Sequence, residues 1–227
     1  MLLNAVLFAE EIYATFTVQP LKRAELAFSA GGIVDKVNVD VGSEVKAGEV
    51  LASLKNDDIK ALLDVAQTNY KYAKRAYERQ LKVKHLIDQA QLDSFAFKYE
   101  QSKAQLAYQK ALLEKTLLKV PFDGVIYEKL IEEGDVVSGA MIRTALKLQS
   151  TRKRKLILTF DQKYHDLVKA GQTFRYKVDG SDTPREGSIS KVYPAARSKD
   201  RKLEAEVIAE DLLPGLFGDG YILTQKQ

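Results

Sequence analysis

GIVDKVNVDVGSEVKAGEVL (Gly32–Leu51) and GVIYEKLIEEGDVVSGAMIRTALKL (Gly124–Leu148) decide the fold. Gly32 and Gly42 are ten residues apart, and so are Gly124 and Gly134. Each pair frames an apolar β segment: Ile33 and Val34 with Val37 and Val39 in the first copy, Val125 and Ile126 with Leu130 and Ile131 in the second. Each second glycine is followed by valine and a further glycine, Val45 and Gly48 against Val136, Val137 and Gly139, the second copy being one residue shorter. β-branched residues suit a pleated surface, and glycine supplies the positive φ of tight turns. A single copy cannot bury its apolar face, whereas two can close on each other. The expectation is one small β-module, split in two.

The residues between the copies follow another period. Ile59, Leu62, Ala66, Asn69, Ala73, Ala76, Gln80 and Val83 recur at spacings of three and four, a heptad stripe. A second stripe runs through Leu92, Phe95, Tyr99, Leu106, Leu113 and Leu117. Neither segment holds Gly or Pro, and the break lies near 86–91. Asp57 and Asp58 suit a helix N-terminus, Asp88 and Gln91 form a D-x-x-Q capping box before Leu92, and Pro121 ends the second helix. Two antiparallel helices of about 28 residues, a rod about 40 Å long, follow. Their seven aromatic residues (Tyr70, Tyr72, Tyr77, Phe95, Phe97, Tyr99 and Tyr108) exceed what one seam needs, which favours side-by-side packing with other hairpins.

Outside this core, residues 13–28 read as one or two short strands interrupted by Pro20. The last third reads as a small barrel or sandwich, with strands over 156–160, 173–178, 188–193, 203–209 and 221–224 and a short helix over 161–170, capped by Asp161 and stopped by Gly171. Arg152 to Lys155 reads as a solvated basic loop. Met1 to Ala9 resembles the end of a secretory signal peptide with cleavage at Ala9. The fold class is α+β, mainly β: a helical hairpin inserted between the halves of a β-sandwich, followed by a small β-barrel. The expected boundaries are 1–9 for the signal remnant, 29–56 and 120–149 for the split sandwich, 57–119 for the hairpin, and 10–28 with 150–227 for the barrel.

The 227 residues carry a net charge of +4 and no cysteine, so disulfides, thiolate nucleophiles and cysteine-ligated zinc are excluded. No concentrated basic face argues for nucleic acid. No nucleophile elbow, H-E-x-x-H, Walker loop or G-x-G-x-x-G is present; Gly215, Gly218 and Gly220 have the wrong spacing for dinucleotide binding. His85 and His165, the only histidines, lie on different elements, and neither has a second histidine at helical spacing. No catalytic residue, cofactor or metal site is expected.

The split pair resembles the two halves of a lipoyl- or biotinyl-type domain. With a hairpin between the halves and a barrel after them, the chain resembles the periplasmic adaptor (membrane fusion protein) family of tripartite efflux pumps from about Thr15 to Leu223. Lys119–Ile126 (KVPFDGVI) and Leu213–Phe217 (LPGLF) add to the likeness. A lipoyl carrier displays a lysine on the turn that the hairpin occupies here, and Lys55 lacks that setting. The resemblance implies an adaptor, linked most closely to resistance-nodulation-division pumps, that joins an inner-membrane efflux transporter to an outer-membrane duct for export of drugs or toxic compounds. It implies a periplasmic location beside the inner membrane and self-association into a ring of six. An adaptor for an ABC-type secretion exporter and a coiled-coil scaffold without a pump are the alternatives. Many members carry a further membrane-proximal domain, which is not expected before Gln227, and an Arg-x3-Leu-x6-Ser pattern at the hairpin tip. Here Tyr77, Leu81 and Asp88 occupy those three positions. A hairpin apex alone reaches a distant partner, so Leu81, Lys82, Lys84, His85, Leu86, Ile87 and Asp88 are the expected duct-binding residues.

Overall fold

The computed structural model describes residues 10–197 and 199–224; the expected signal remnant lies outside them. In chain order the elements are β1 (Glu10–Pro20), β2 (Arg23–Leu26), β3 (Gly32–Val37), β4 (Glu44–Val45), β5 (Val50–Leu54), α1 (Asp57–Lys82), α2 (Gln89–Lys115), β6 (Leu117–Lys119), β7 (Gly124–Lys129), β8 (Val136–Val137), β9 (Leu146–Gln149), β10 (Lys153–Asp161), β11 (Thr173–Val178), β12 (Arg185–Val192), β13 (Lys202–Glu210) and β14 (Phe217–Thr224). Their contacts form two compact units, Ala24–Leu148 and Met1–Arg23 with Gln149–Gln227.

In the first unit, two four-stranded sheets, β2-β9-β7-β4 and β6-β5-β3-β8, each draw strands from both sides of the hairpin. The halves exchange strands reciprocally. Gly32 pairs with Val137 and Ile33 with Val136, while Gly124 pairs with Val45 and Val125 with Glu44. Val34 N–H donates to the Asp135 carbonyl (2.8 Å) and Ile126 N–H to that of Ser43 (3.0 Å). Gly42 N–H donates to the Ile126 carbonyl (2.8 Å) and Gly134 N–H to that of Val34 (2.9 Å). A shift of ninety-two residues maps each bond onto its mate. The turns match too: Asp40 N–H donates to Ser43 Oγ and Glu132 N–H to Asp135 Oδ2. Val34 and Ile126 are buried at equivalent places in one core with Leu51, Leu54 and Leu146.

The symmetry breaks at one expected correspondence. Gly48 has φ +86 in a turn, but Gly139 is not left-handed. A Cβ on Gly139 would lie 3.0 Å from the Gly31 nitrogen, so Gly139 serves close approach of two backbones. Its structural counterpart is Ala47, whose N–H donates to Asp123 Oδ1 (2.8 Å) at the related seam.

The hairpin leaves this sandwich through a buried polar staple. Asn56 Nδ2 donates to Thr116 Oγ1 (2.9 Å), and the Thr116 hydroxyl donates to the Leu113 carbonyl (2.7 Å). The helices of 26 and 27 residues extend about 40 Å from there. Their seam follows Ile59, Leu63, Ala66, Tyr70, Ala73, Tyr77 and Gln80 against Leu92, Phe95, Tyr99, Ser102, Leu106, Gln109 and Leu113, all buried or half-buried. The expected stripe holds at Ile59, Ala66 and Ala73 but is one residue out at the positions between them: Leu62 and Asn69 face solvent, and Leu63 and Tyr70 enter the seam. The observed register buries the Tyr70 ring in place of an amide. Tyr77 stacks on Tyr99 (5.5 Å between centroids, 12°) and Tyr70 leans on it at 5.8 Å. The Tyr99 hydroxyl pKa is raised, first by the hydrogen bond with Tyr70 and then by burial. The capping box does not form. Asp88 precedes α2 in extended conformation, yet its exposed carboxylate makes no cap bond, and Gln89 Nε2 instead donates to Asp93 Oδ1 (2.7 Å).

The second unit is a closed six-stranded barrel, β1-β10-β13-β12-β11-β14. Its core packs Phe16 edge-on against Phe174 (5.9 Å) and Tyr176 (5.2 Å). Three expectations change here. β1 runs unbroken to Pro20, the last residue that needs no ladder donor, whereas Leu26 and Phe28, expected with the barrel, lie in the sandwich core. The basic run is not a solvated loop, because β10 begins at Lys153 and alternation turns Arg154 inward, where Nε donates to the Leu212 carbonyl (2.7 Å) and Nη1 to that of Ser150 (2.6 Å). Burial lowers the Arg154 pKa, with Asp211 opposing. The helix over 161–170 is a single 3-10 turn, Gln162–Tyr164, capped by the Asp161 carboxylate accepting from Lys163 N–H (2.9 Å).

Candidate functional site: the hairpin tip

The seven residues expected at the tip lie together on the connection between α1 and α2. Leu81 and Lys82 close α1, Lys84 to Ile87 form the turn, and Asp88 precedes α2. Val83 N–H donates to the Gln80 carbonyl (3.1 Å) and Leu86 N–H to that of Val83 (2.8 Å), which folds the chain back tightly. Only Ile87 is half-buried; the other six are exposed, Leu86 to 74%. Among the described residues neither Lys82 nor Lys84 is ion-paired, so the apex presents apolar side chains ringed by free cations. Val83 was expected in the seam but is exposed at the end of α1 and joins this surface. Its place just past the last helical turn is the signal that identifies it.

Tyr77, at the position of the family's tip arginine, is half-buried against Tyr99 and turned into the seam. Of the hairpin aromatics, Tyr72, Phe97 and Tyr108 remain exposed. His85 is exposed at the apex, and His165 Nε2 lies 3.1 Å from Asp166 Oδ2 in the barrel unit. Among the described residues no group of three metal-ligating side chains converges, and no helix is long and apolar enough to cross a membrane.

The CzcB-like barrel-sandwich hybrid domain model matches residues 22–142, which hold the hairpin and the sandwich strands β2 to β8. The chain belongs to this family. The chain is similar in sequence to the cobalt-zinc-cadmium resistance protein CzcB of Cupriavidus metallidurans, 26% identical over 218 residues that cover 86% of this chain and 41% of that protein. It is similarly related to an uncharacterized protein of Haemophilus influenzae, 26% identical over 219 residues, covering 91% of this chain and 56% of that one. The chain therefore spans about half the length of these relatives. In structure it resembles a MacA-MexA chimera carrying the Pseudomonas aeruginosa MexA α-hairpin domain, with TM-score 0.83 and 22% identity over 95% of this chain and 79% of that one. That likeness extends the shared fold through the barrel.

Proposed function

We propose that the chain is a periplasmic adaptor subunit that links an inner-membrane efflux transporter to an outer-membrane exit duct, without catalysis. The observation that carries this reading is the fixed arm. Two half-modules close reciprocally across the hairpin base, the Asn56–Thr116 staple ties both helix ends there, and the apex stands about 40 Å away. Such a device bridges separated partners. The tip residues Leu81 to Asp88 dock on the duct, and the sandwich and barrel meet the pump. Exposed Tyr72, Phe97 and Tyr108 support side-by-side packing of hairpins in a ring of six copies. The exported compounds are toxic ones, divalent metal cations first among them, given the printed name of the Cupriavidus relative.

The Lys82→Glu, Lys84→Glu double variant tests the docking role. Both lysines are exposed, so thermal unfolding should match the parent chain. Crosslinking to the duct should fall at least about tenfold, and complemented resistance to zinc, cobalt or cadmium salts should fall with it. Crosslinking at the parent level would remove the tip from the docking surface.

A further inference from the structure

The outer face of the barrel carries aromatic residues that the fold does not require. Outward positions of β1 and β14 stand side by side in register: Tyr13 beside Tyr221, Thr15 beside Asp219, Thr17 beside Phe217. Thr159 of β10 extends the middle row beyond Thr15. Tyr13 and Tyr221 meet edge-on at 5.8 Å. Their exposures are 52% and 45%, and that of Phe217 is 60%. Elsewhere the outward positions are mostly charged or small, as with Arg175 and Lys177 on β11, Glu186 and Ser188 on β12 and Glu210 on β13, although Ile208 on β13 is also exposed. Barrel closure is satisfied by such residues, so a cluster of three large exposed rings marks a binding surface.

Tyr13 and Phe217 line an open cleft of about 730 Å³, within the ordinary size range of small-ligand sites, and Tyr221 packs on Tyr13 outside that lining. Its lining is polar, with Thr15, Thr17, Thr159 and Asp219 among the residues. Burial first and then the hydrogen-bonded Asp219 raise the Tyr13 hydroxyl pKa, so Asp219 is that hydroxyl's partner within the face. Asp179, Asp219 and Lys202 also line the cleft, whereas Arg197 at its edge is already ion-paired with Asp200 and Glu204. A protein hot spot closes an apolar pocket over an anchor side chain, and a polar lining beside open rings does not fit that pattern.

We infer that the face formed by β1 and β14 is a glycan-binding surface. A sugar ring offers C–H groups to an aromatic face and hydroxyls to donors and acceptors in the same plane. Tyr221, Phe217 and Tyr13 supply the faces. Threonine hydroxyls, which both donate and accept, and the acceptor-only Asp219 supply the hydrogen bonds.

The test is calorimetric titration of the full chain with chitotetraose and, separately, maltotetraose. Binding in the range of about 0.01–1 mM to either supports the inference. Preference for chitotetraose assigns N-acetylated wall-type glycans, and preference for maltotetraose assigns unsubstituted ones. Phe217→Ser and Tyr221→Thr should each weaken binding about tenfold with barrel unfolding unchanged. Thr15→Val keeps the shape, removes one hydroxyl and should weaken binding severalfold. Should a variant fail to fold, ligand-induced NMR shifts on the parent chain decide: shifts at Tyr13 and Phe217 support the site, and shifts elsewhere overturn it. Absence of heat with both glycans up to about 10 mM overturns the inference. So does parent-level affinity in the Tyr13→Thr, Tyr221→Thr double variant. Loss of crosslinking to the pump in that variant, without glycan binding, would make this face a protein contact instead.

Discussion

Gly218→Val is expected to destabilise the barrel unit by more than about 3 kcal/mol, at the upper end of overpacking effects. A Cβ at this position would fall 2.1 Å from the Lys177 carbonyl oxygen and 2.6 Å from Phe16 Cζ. The phenyl ring belongs to the packed cluster with Phe174 and Tyr176, and the carbonyl is backbone of β11, paired with β14 at Val178 and Gly218. Relief requires the β11–β14 ladder to open, and a closed barrel has no free edge where the displaced strand could rest. For a unit of this size the melting temperature should fall by roughly 12 °C or more. Scanning calorimetry checks it, and a barrel transition within a degree or two of the parent's would show that the strand crossing is looser than the geometry requires.

Ile126→Ala should cost about 2–5 kcal/mol in the other unit. Ile126 is fully buried, and both its backbone groups bond the opposite half, to Ser43 and Gly42. The substitution removes core volume where the two halves close. Urea unfolding followed by far-UV circular dichroism should show a lower midpoint for the sandwich and hairpin. Because each unit has its own apolar core, Ile126→Ala should leave the barrel transition in place, as Gly218→Val should leave that of the sandwich. A cost below about 1 kcal/mol would mean that the halves do not share one core.

The split module was legible in the sequence because its signal is doubled. A strand pattern bounded by glycines is common, but the same pattern ninety-two residues later, with a heptad segment between, has few readings. The hairpin was legible for the same reason of sustained period. Its seam was one residue out at two alternate positions because Leu62 and Leu63 are both apolar, and only the partner ring of Tyr99 decides between Asn69 and Tyr70. Gly139 was misassigned because sequence distinguishes poorly between a glycine needed for φ and one needed for room. Arg154 read as solvated because a charged run conceals alternation, and its carbonyl partners at Leu212 and Ser150 are distant or irregular backbone. The tip could be placed from the helix break alone, yet Val83 was missed, since a stripe residue and a cap residue look alike at a helix end. The aromatic face of β1 and β14 could not be read at all. Tyr13 and Phe217 are two hundred residues apart, and only barrel closure aligns their strands.

The central claim is that the apex of the hairpin touches an outer-membrane duct. A photo-crosslinking amino acid at Leu86, the most exposed apolar residue of the tip, tests it in living cells. The account predicts an ultraviolet-dependent adduct with an outer-membrane duct protein, identified by mass spectrometry, and weakening of that adduct in the Lys82→Glu, Lys84→Glu background. Adducts only with the inner-membrane pump, or only with other copies of this chain, would contradict it.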